Sequence, residues 1–185
     1  MVFSPPVRWE SNSMRSVGLV ATHMLTFLCA DVEGSAAIAH RLGDTHGVVL
    51  PSYRRLILTP LTAHGGEEVA AEDDGLSAGF TCSRACVDAA IQLQRVLVLH
   101  RWSAGERVRV RMGIDSEEAA QTAAGLAGLA ARSASRISAV AQGGQVVVSL
   151  AAAGLLAGRP SAAGVKLTDP GHHRRKDMGQ NRVRR

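Results

Sequence analysis

Thr26-Phe27-Leu28-Cys29-Ala30-Asp31-Val32-Glu33-Gly34-Ser35 is the stretch on which the fold turns. It lies in a nearly continuous apolar run, 25–32, of the kind found in strands buried on both faces. Asp31 stands at the end of that run. Gly34 and Ser35 then open a helical pattern that lasts to Leu42, with Ser35 placed to cap it. A carboxylate therefore leaves a buried strand just before a helix N-terminus, where backbone N–H groups favour an anion.

Further along the chain the pattern alternates between helix and strand. A second helix is expected over 49–63; Pro51 is tolerable in its first turn, but Pro60 should kink it or end it early. Gly65-Gly66 is a stop. Strands over 67–72 and 76–80 flank Asp73-Asp74-Gly75, a hairpin signal. Residues 83–100 form the strongest amphipathic helix, with Cys86, Ala89, Ala90, Leu93, Val96 and Leu97 on its apolar face. Residues 107–114 alternate, so that Arg107, Arg109 and Arg111 form a solvated face opposite Val108, Val110, Met112 and Ile114. A helix over 125–141, a strand over 145–150, a helix over 151–156 and a short strand over 165–168 complete the order. Helices grouped with neighbouring antiparallel strands predict an α+β sandwich of the ferredoxin-like kind.

Composition narrows the function classes. A chain of 185 residues, 46% hydrophobic and 20% charged, is one ordinary domain with a sizeable core. Aromatic residues are only 3%, too few for a stacking platform on single-stranded nucleic acid. The net charge of +5 belongs to the end of the chain: 171–185 hold six basic residues against Asp177, leaving 15 basic and 15 acidic elsewhere. Six cations in such a tail are ordinarily a solvated terminus, so nucleic-acid binding is disfavoured. The apolar run 17–30 is interrupted by Thr22, His23 and Thr26 and is too short and polar to span a membrane. Cys29, Cys82 and Cys86 are an odd number without scaffold spacing, which fits reduced thiols, Cys82 and Cys86 as a buried pair, in a cytoplasmic compartment. The organisation expected is a loose leader over 1–23, a domain over 24–170 and a basic tail over 171–185.

Asp31 and the Asp74 hairpin are two carboxylate sites at strand ends, a hard-cation donor set. Spacing alone leaves a solvated acidic turn as the commoner explanation. Six pieces in order, two of them holding these aspartates, change this: Thr26-Phe27-Leu28 with Asp31-Val32-Glu33-Gly34-Ser35; His64-Gly65-Gly66; Asp74-Gly75 with Ala78-Gly79-Phe80; Arg107 to Ile114 as a block; Ala141-Gln142-Gly143-Gly144-Gln145-Val146; and His173-Arg174-Arg175-Lys176-Asp177. In this order the chain resembles the class III nucleotidyl cyclase catalytic domain, the adenylate/guanylate cyclase domain of bacterial type, over about 24–179.

The resemblance implies a head-to-tail dimer, homomeric or with another cyclase-homology domain, whose sites are shared between protomers. It implies that Asp31 and Asp74 hold two Mg²⁺ or Mn²⁺ ions, and that the backbone of Val32, Glu33, Gly34 and Ser35 cradles the triphosphate. Lys176 matches a triphosphate-binding lysine, and Arg136 the transition-state arginine. ATP is implied in preference to GTP. Three positions depart from the family: Ala70 stands for the base-reading lysine, Gly125 for the base-reading Asp or Thr, and Arg132 for the ribose-orienting asparagine. Ala70 and Gly125 offer no side-chain hydrogen bond to a purine, so little base preference is expected. Scaffold positions depart too: Asp73 replaces a usual glycine, Glu117 a turn glycine, and the last strand is doubtful, with Val183 nearly alone as an apolar residue there. The reading is a class III cyclase homologue of weak or lost activity. The alternative is a dead pseudo-cyclase serving as a dimerising or nucleotide-binding signalling module.

Overall fold

The computed structural model describes residues 22–43, 46–71, 74–102, 107–122, 125–126, 129–157, 165, 167–168 and 183–184. Strand β1 (Thr22–Val32) is followed by α1 (Ser35–Leu42), α2 (His46–Ala63), β2 (Glu67–Ala71), β3 (Gly75–Phe80) and α3 (Ser83–Leu99). Then come β4 (Val110–Thr122), β5 (Gly125–Leu126), α4 (Leu129–Ser138), β6 (Val146–Ser149), α5 (Leu150–Leu156) and β7 (Val183–Arg184). The sheet order is β2-β3-β1-β4-β6-β7, with β5 folded back on the far end of β4. All pairings are antiparallel except β4 with β6. This is the expected α+β sandwich with an antiparallel-rich sheet.

The apolar run of β1 has a structural reason: both faces are covered. Leu28, Ala30 and Val32 join the main core with Tyr53, Ile57 and Leu61 of α2 and Cys86, Ala90 and Leu93 of α3. Leu25, Phe27 and Cys29 point the other way and pack with Ala134 of α4. Alternation along β1 therefore places Asp31 on the α4 side of the sheet. The buried hydroxyl of Thr26 is satisfied by Ser83 and Ser116, each at 2.8 Å.

Several local expectations are corrected. Ser35 is the first helical residue of α1, and the cap is Gly34, in a left-handed conformation (φ 68°, ψ 31°) that turns the chain out of β1. Pro60 does not end α2, which continues to Ala63. Tyr53, Ile57 and Leu61 form one buried stripe, and Pro60 itself is buried, so packing outweighs the lost backbone bond. The helix is stopped instead by Gly65-Gly66, where Gly66 N–H donates to Leu61 O (2.8 Å) and Gly65 N–H to Thr62 O (3.0 Å). Strand β4 runs on to Thr122, so Glu117 lies inside a strand opposite Leu25, not in a turn. The helix expected over 125–141 is the shorter α4, because Gly125 pairs with Thr122. Cys86 is buried but Cys82, at the start of α3, is exposed, so the two are not a buried pair. Val96 is only half-buried, and Val87 joins the buried face in its stead. Val165, Leu167 and Thr168 form no strand. The doubtful last strand exists as two residues, Val183 and Arg184, paired with Ser149 and Val148.

Gly113 of β4 is where α4 meets the sheet. A Cβ there would stand 2.2 Å from Ala134 O and 2.3 Å from Ser138 N, both backbone atoms that cannot swing aside. Gly113→Ala is expected to lift α4 and cost about 1–3 kcal/mol. Gly154→Ala, in α5 with open space around it, should stabilise by up to about 1 kcal/mol. Urea unfolding of the two variants checks both signs.

Candidate functional site

The site begins where β1 ends between its two neighbours. Asp31 is the register partner of Gly75 on β3 and of Arg111 on β4. The first pairing brings Asp74 to the end of β1: Val32 N–H donates to Asp74 O at 3.2 Å. The same carbonyl accepts the Tyr53 hydroxyl, reached from α2, at 3.3 Å. The two sequence-predicted aspartates thus stand at adjacent strand ends above one buried phenol. Burial first, then the negative charge of Asp31 and of Asp74, pushes the Tyr53 phenol well above its ordinary value near 10.

The second pairing supplies a cation that the sequence reading placed in solvent. Arg111 Nε donates to Asp31 Oδ2 at 2.6 Å, and its terminal nitrogen contacts the same oxygen. The carboxylate is 22% exposed and the guanidinium 32%, so water screens this pair only in part. Alternation alone put Arg111 on the outer face; only the β1–β4 register shows that an acid faces it. Tyr53 was likewise missed, because its α2 position carries no motif.

The expected phosphate cradle is narrower than four amides. Val32 N–H is given to Asp74 O, and Glu33 N–H to Arg109 O at 2.9 Å, because the sheet continues one rung past Asp31. Gly34 and Ser35 then open α1, where first-turn amides have no helical acceptor. The Glu33 carboxylate turns away to accept Gly143 N–H at 2.9 Å, bracing the turn before β6. Arg132 and Arg136 lie one turn apart on the exposed side of α4, whose other side buries Ala134, Ile137 and Ser138. Ala70 is exposed on β2, across from Ser77. Gly125 is in β5. Asp73 and Lys176 lie outside the described residues.

No protein-family model and no curated protein matches this chain by sequence. Solved structures do match. Adenylate cyclases from Trypanosoma brucei are similar at TM-score 0.77 and 21% identity, over 87% of this chain and 88% of theirs. The guanylate cyclase domain of RhGC from Catenaria anguillulae, in complex with GTP, is similar at TM-score 0.77 and 15% identity, over 88% of this chain and 94% of that one. The adenylyl cyclase CyaB from P. aeruginosa follows at TM-score 0.72 and 15% identity, over 89% and 93%. This is the fold of the class III adenylate/guanylate cyclase catalytic domain. Neighbours from such different organisms share the cyclase fold, and this chain shares it with them. Among the described residues no helix is long and apolar enough to cross a membrane.

Tyr53 is the sole tyrosine of the chain, which makes its environment measurable. Phenolate absorbance should stay absent above pH 10 while the protein is folded and appear together with alkaline unfolding. The sign follows from linkage: a raised folded pKa gives stability that is intact below about pH 10, then lost at about 1.4 kcal/mol per pH unit toward the folded value. Ionisation near pH 10 without unfolding would refute the placement of Tyr53.

Proposed function

We propose that this chain is a degenerate class III nucleotidyl cyclase homologue, binding a metal–nucleoside triphosphate through Asp31 and Asp74 and cyclising it weakly or not at all. The observation that carries this is the meeting of the two aspartates at adjacent strand ends, beside the start of α1. The donor set fits a hard divalent ion: two carboxylates, with the guanidinium of Arg111 already held on one of them as a positive charge. Among the described residues no third His, Cys, Asp or Glu joins them. On this reading phosphate oxygens and water would supply the remaining ligands, and metal and nucleotide would bind as a pair. When bound, Mg²⁺ or Mn²⁺ supplies the Lewis acidity that activates a ribose 3′-hydroxyl and offsets charge on the α-phosphate as pyrophosphate leaves.

The residues of this chain then divide the work. Asp31 and Asp74 hold charge at the strand ends. Amides of Gly34 and Ser35 face the phosphates at a helix N-terminus. Arg111, paired with Asp31 here, would be free to bind phosphate if a cation took its place on that carboxylate. Arg136 and Lys176 complete the triphosphate and transition-state contacts in the proposed dimer, homomeric or heteromeric, through a shared site. Base reading is what fails: Ala70 and Gly125 present no polar side chain, and Arg132 can donate but not accept. That loss supports the second reading, a dead pseudo-cyclase that binds nucleotide and dimerises as a signalling module. The three free thiols support a reducing, cytoplasmic setting. The domain limits 24–170 and the unassigned basic tail belong to the same proposal.

The test is cyclic nucleotide formation from ATP or GTP with Mn²⁺, beside Asp74→Ala. Turnover should be at least about a hundredfold below the ~10 s⁻¹ common for enzymes, and absent in the variant. Turnover at ordinary enzyme rates would overturn the impairment, and product that survives Asp74→Ala would overturn the site. Titration calorimetry should find Mn-ATP and Mn-GTP within about tenfold of each other in Kd, a difference under 1.4 kcal/mol; outright rejection of one nucleotide would contradict the loss of base reading. Arg111→Ala should tighten Mn²⁺ alone and weaken Mn-ATP, and parallel shifts of the two would rule out the exchange of partners described above. Sedimentation at high concentration should show a dimer.

A further inference from the structure

A cleft of about 620 Å³ opens between the end of α3 and the start of β4, and neither Asp31 nor Asp74 is among its described lining residues. Its volume is that of a small-molecule pocket. Its floor is apolar, made by Leu97 and Val108, which are 3% and 7% exposed. One wall is the Trp102 ring, with His100 edge-on at 4.5 Å between centroids. Arg101, Arg107 and Arg109 supply three guanidinium groups, and no acidic residue is among the described lining residues. Among the described residues no carboxylate pairs with any of the three. Three cations around an apolar floor create a positive potential. Arg109 is backed by the Gly143 turn, where an added Cβ would come within 2.6 Å of its own Cβ, and its carbonyl holds Glu33 N–H.

We propose that this cleft binds an organic anion with a flat ring and at least two negative charges, an aryl or nucleoside monophosphate. The ring lies on the Leu97–Val108 floor against Trp102, and the phosphate is held by the guanidinium fork of Arg101 or Arg107. No metal is needed, which separates this cleft from the Asp31–Asp74 site. The proposal does not rest on cyclase activity.

The experiment is calorimetric titration with 1-naphthyl phosphate and with adenosine monophosphate, in EDTA. At least one should bind with Kd below about 1 mM, and inorganic phosphate and 1-naphthol should each bind at least about tenfold more weakly. The double variant Arg101→Gln/Arg107→Gln should lose about tenfold or more in affinity with an unchanged melting temperature, while Asp74→Asn binds as the parent does. Which probe binds tighter tells an aryl from a nucleoside ligand, and either supports the site. Failure of both probes, equal binding of inorganic phosphate, full affinity in the double variant, or loss in Asp74→Asn would each overturn it.

Discussion

The pairing of β1 with β4 is the constraint on which the rest of the structure depends. It runs unbroken from Thr22 opposite Ala120 to Val32 opposite Val110. Strand side chains alternate, so a slip of one residue would exchange every residue of β1 between faces. That slip is prohibited on both sides, because Leu28 and Ala30 belong to the main core while Phe27 and Cys29 belong under α4. The same register sets Arg111 against Asp31 and leaves the side-chain-free Gly113 beneath α4. Packing thus fixes the position of the charged groups, and the site needs no separate ordering of its own.

Much of this was legible in the sequence. The apolar run ending at Asp31, the Asp74-Gly75 hairpin and the Gly65-Gly66 stop are local signals, each with its own physical cause, and the structure has all of them. What was not legible was non-local. Arg111 reads as a solvent residue until β1 is laid beside β4. Tyr53 is one more apolar residue of a helix until the hairpin carbonyl arrives above it. Pro60 and the start of α1 were misread where tertiary packing or a left-handed glycine outweighed propensity. The extension of β4 through Glu117 to Thr122 was hidden because its polar residues carry no strand signal of their own.

The departures from the cyclase pattern are uneven, and their distribution is informative. On the proposed reading, the groups that would meet charge are kept: Asp31, Asp74, Arg136 and the helix start at Gly34. On the same reading, the positions that would read a base or seat a ribose hold Ala70, Gly125 and Arg132. Phosphate and metal contacts are charge-assisted and contribute most of the affinity for a triphosphate. Base contacts discriminate chiefly because an unmet polar group is costly. The proposed site, lacking only the latter, would keep a reason to bind and lose its reason to choose.

Electron paramagnetic resonance of Mn²⁺ tests the central claim most directly, since it counts free ion whether or not chemistry follows. The account predicts little Mn²⁺ bound by the protein alone. It predicts a tightly held signal in the presence of a non-hydrolysable ATP analogue beyond what the analogue binds by itself, and loss of that signal in Asp31→Asn and in Asp74→Asn. Protein-held Mn²⁺ that is indifferent to the nucleotide, or that survives either substitution, would contradict it.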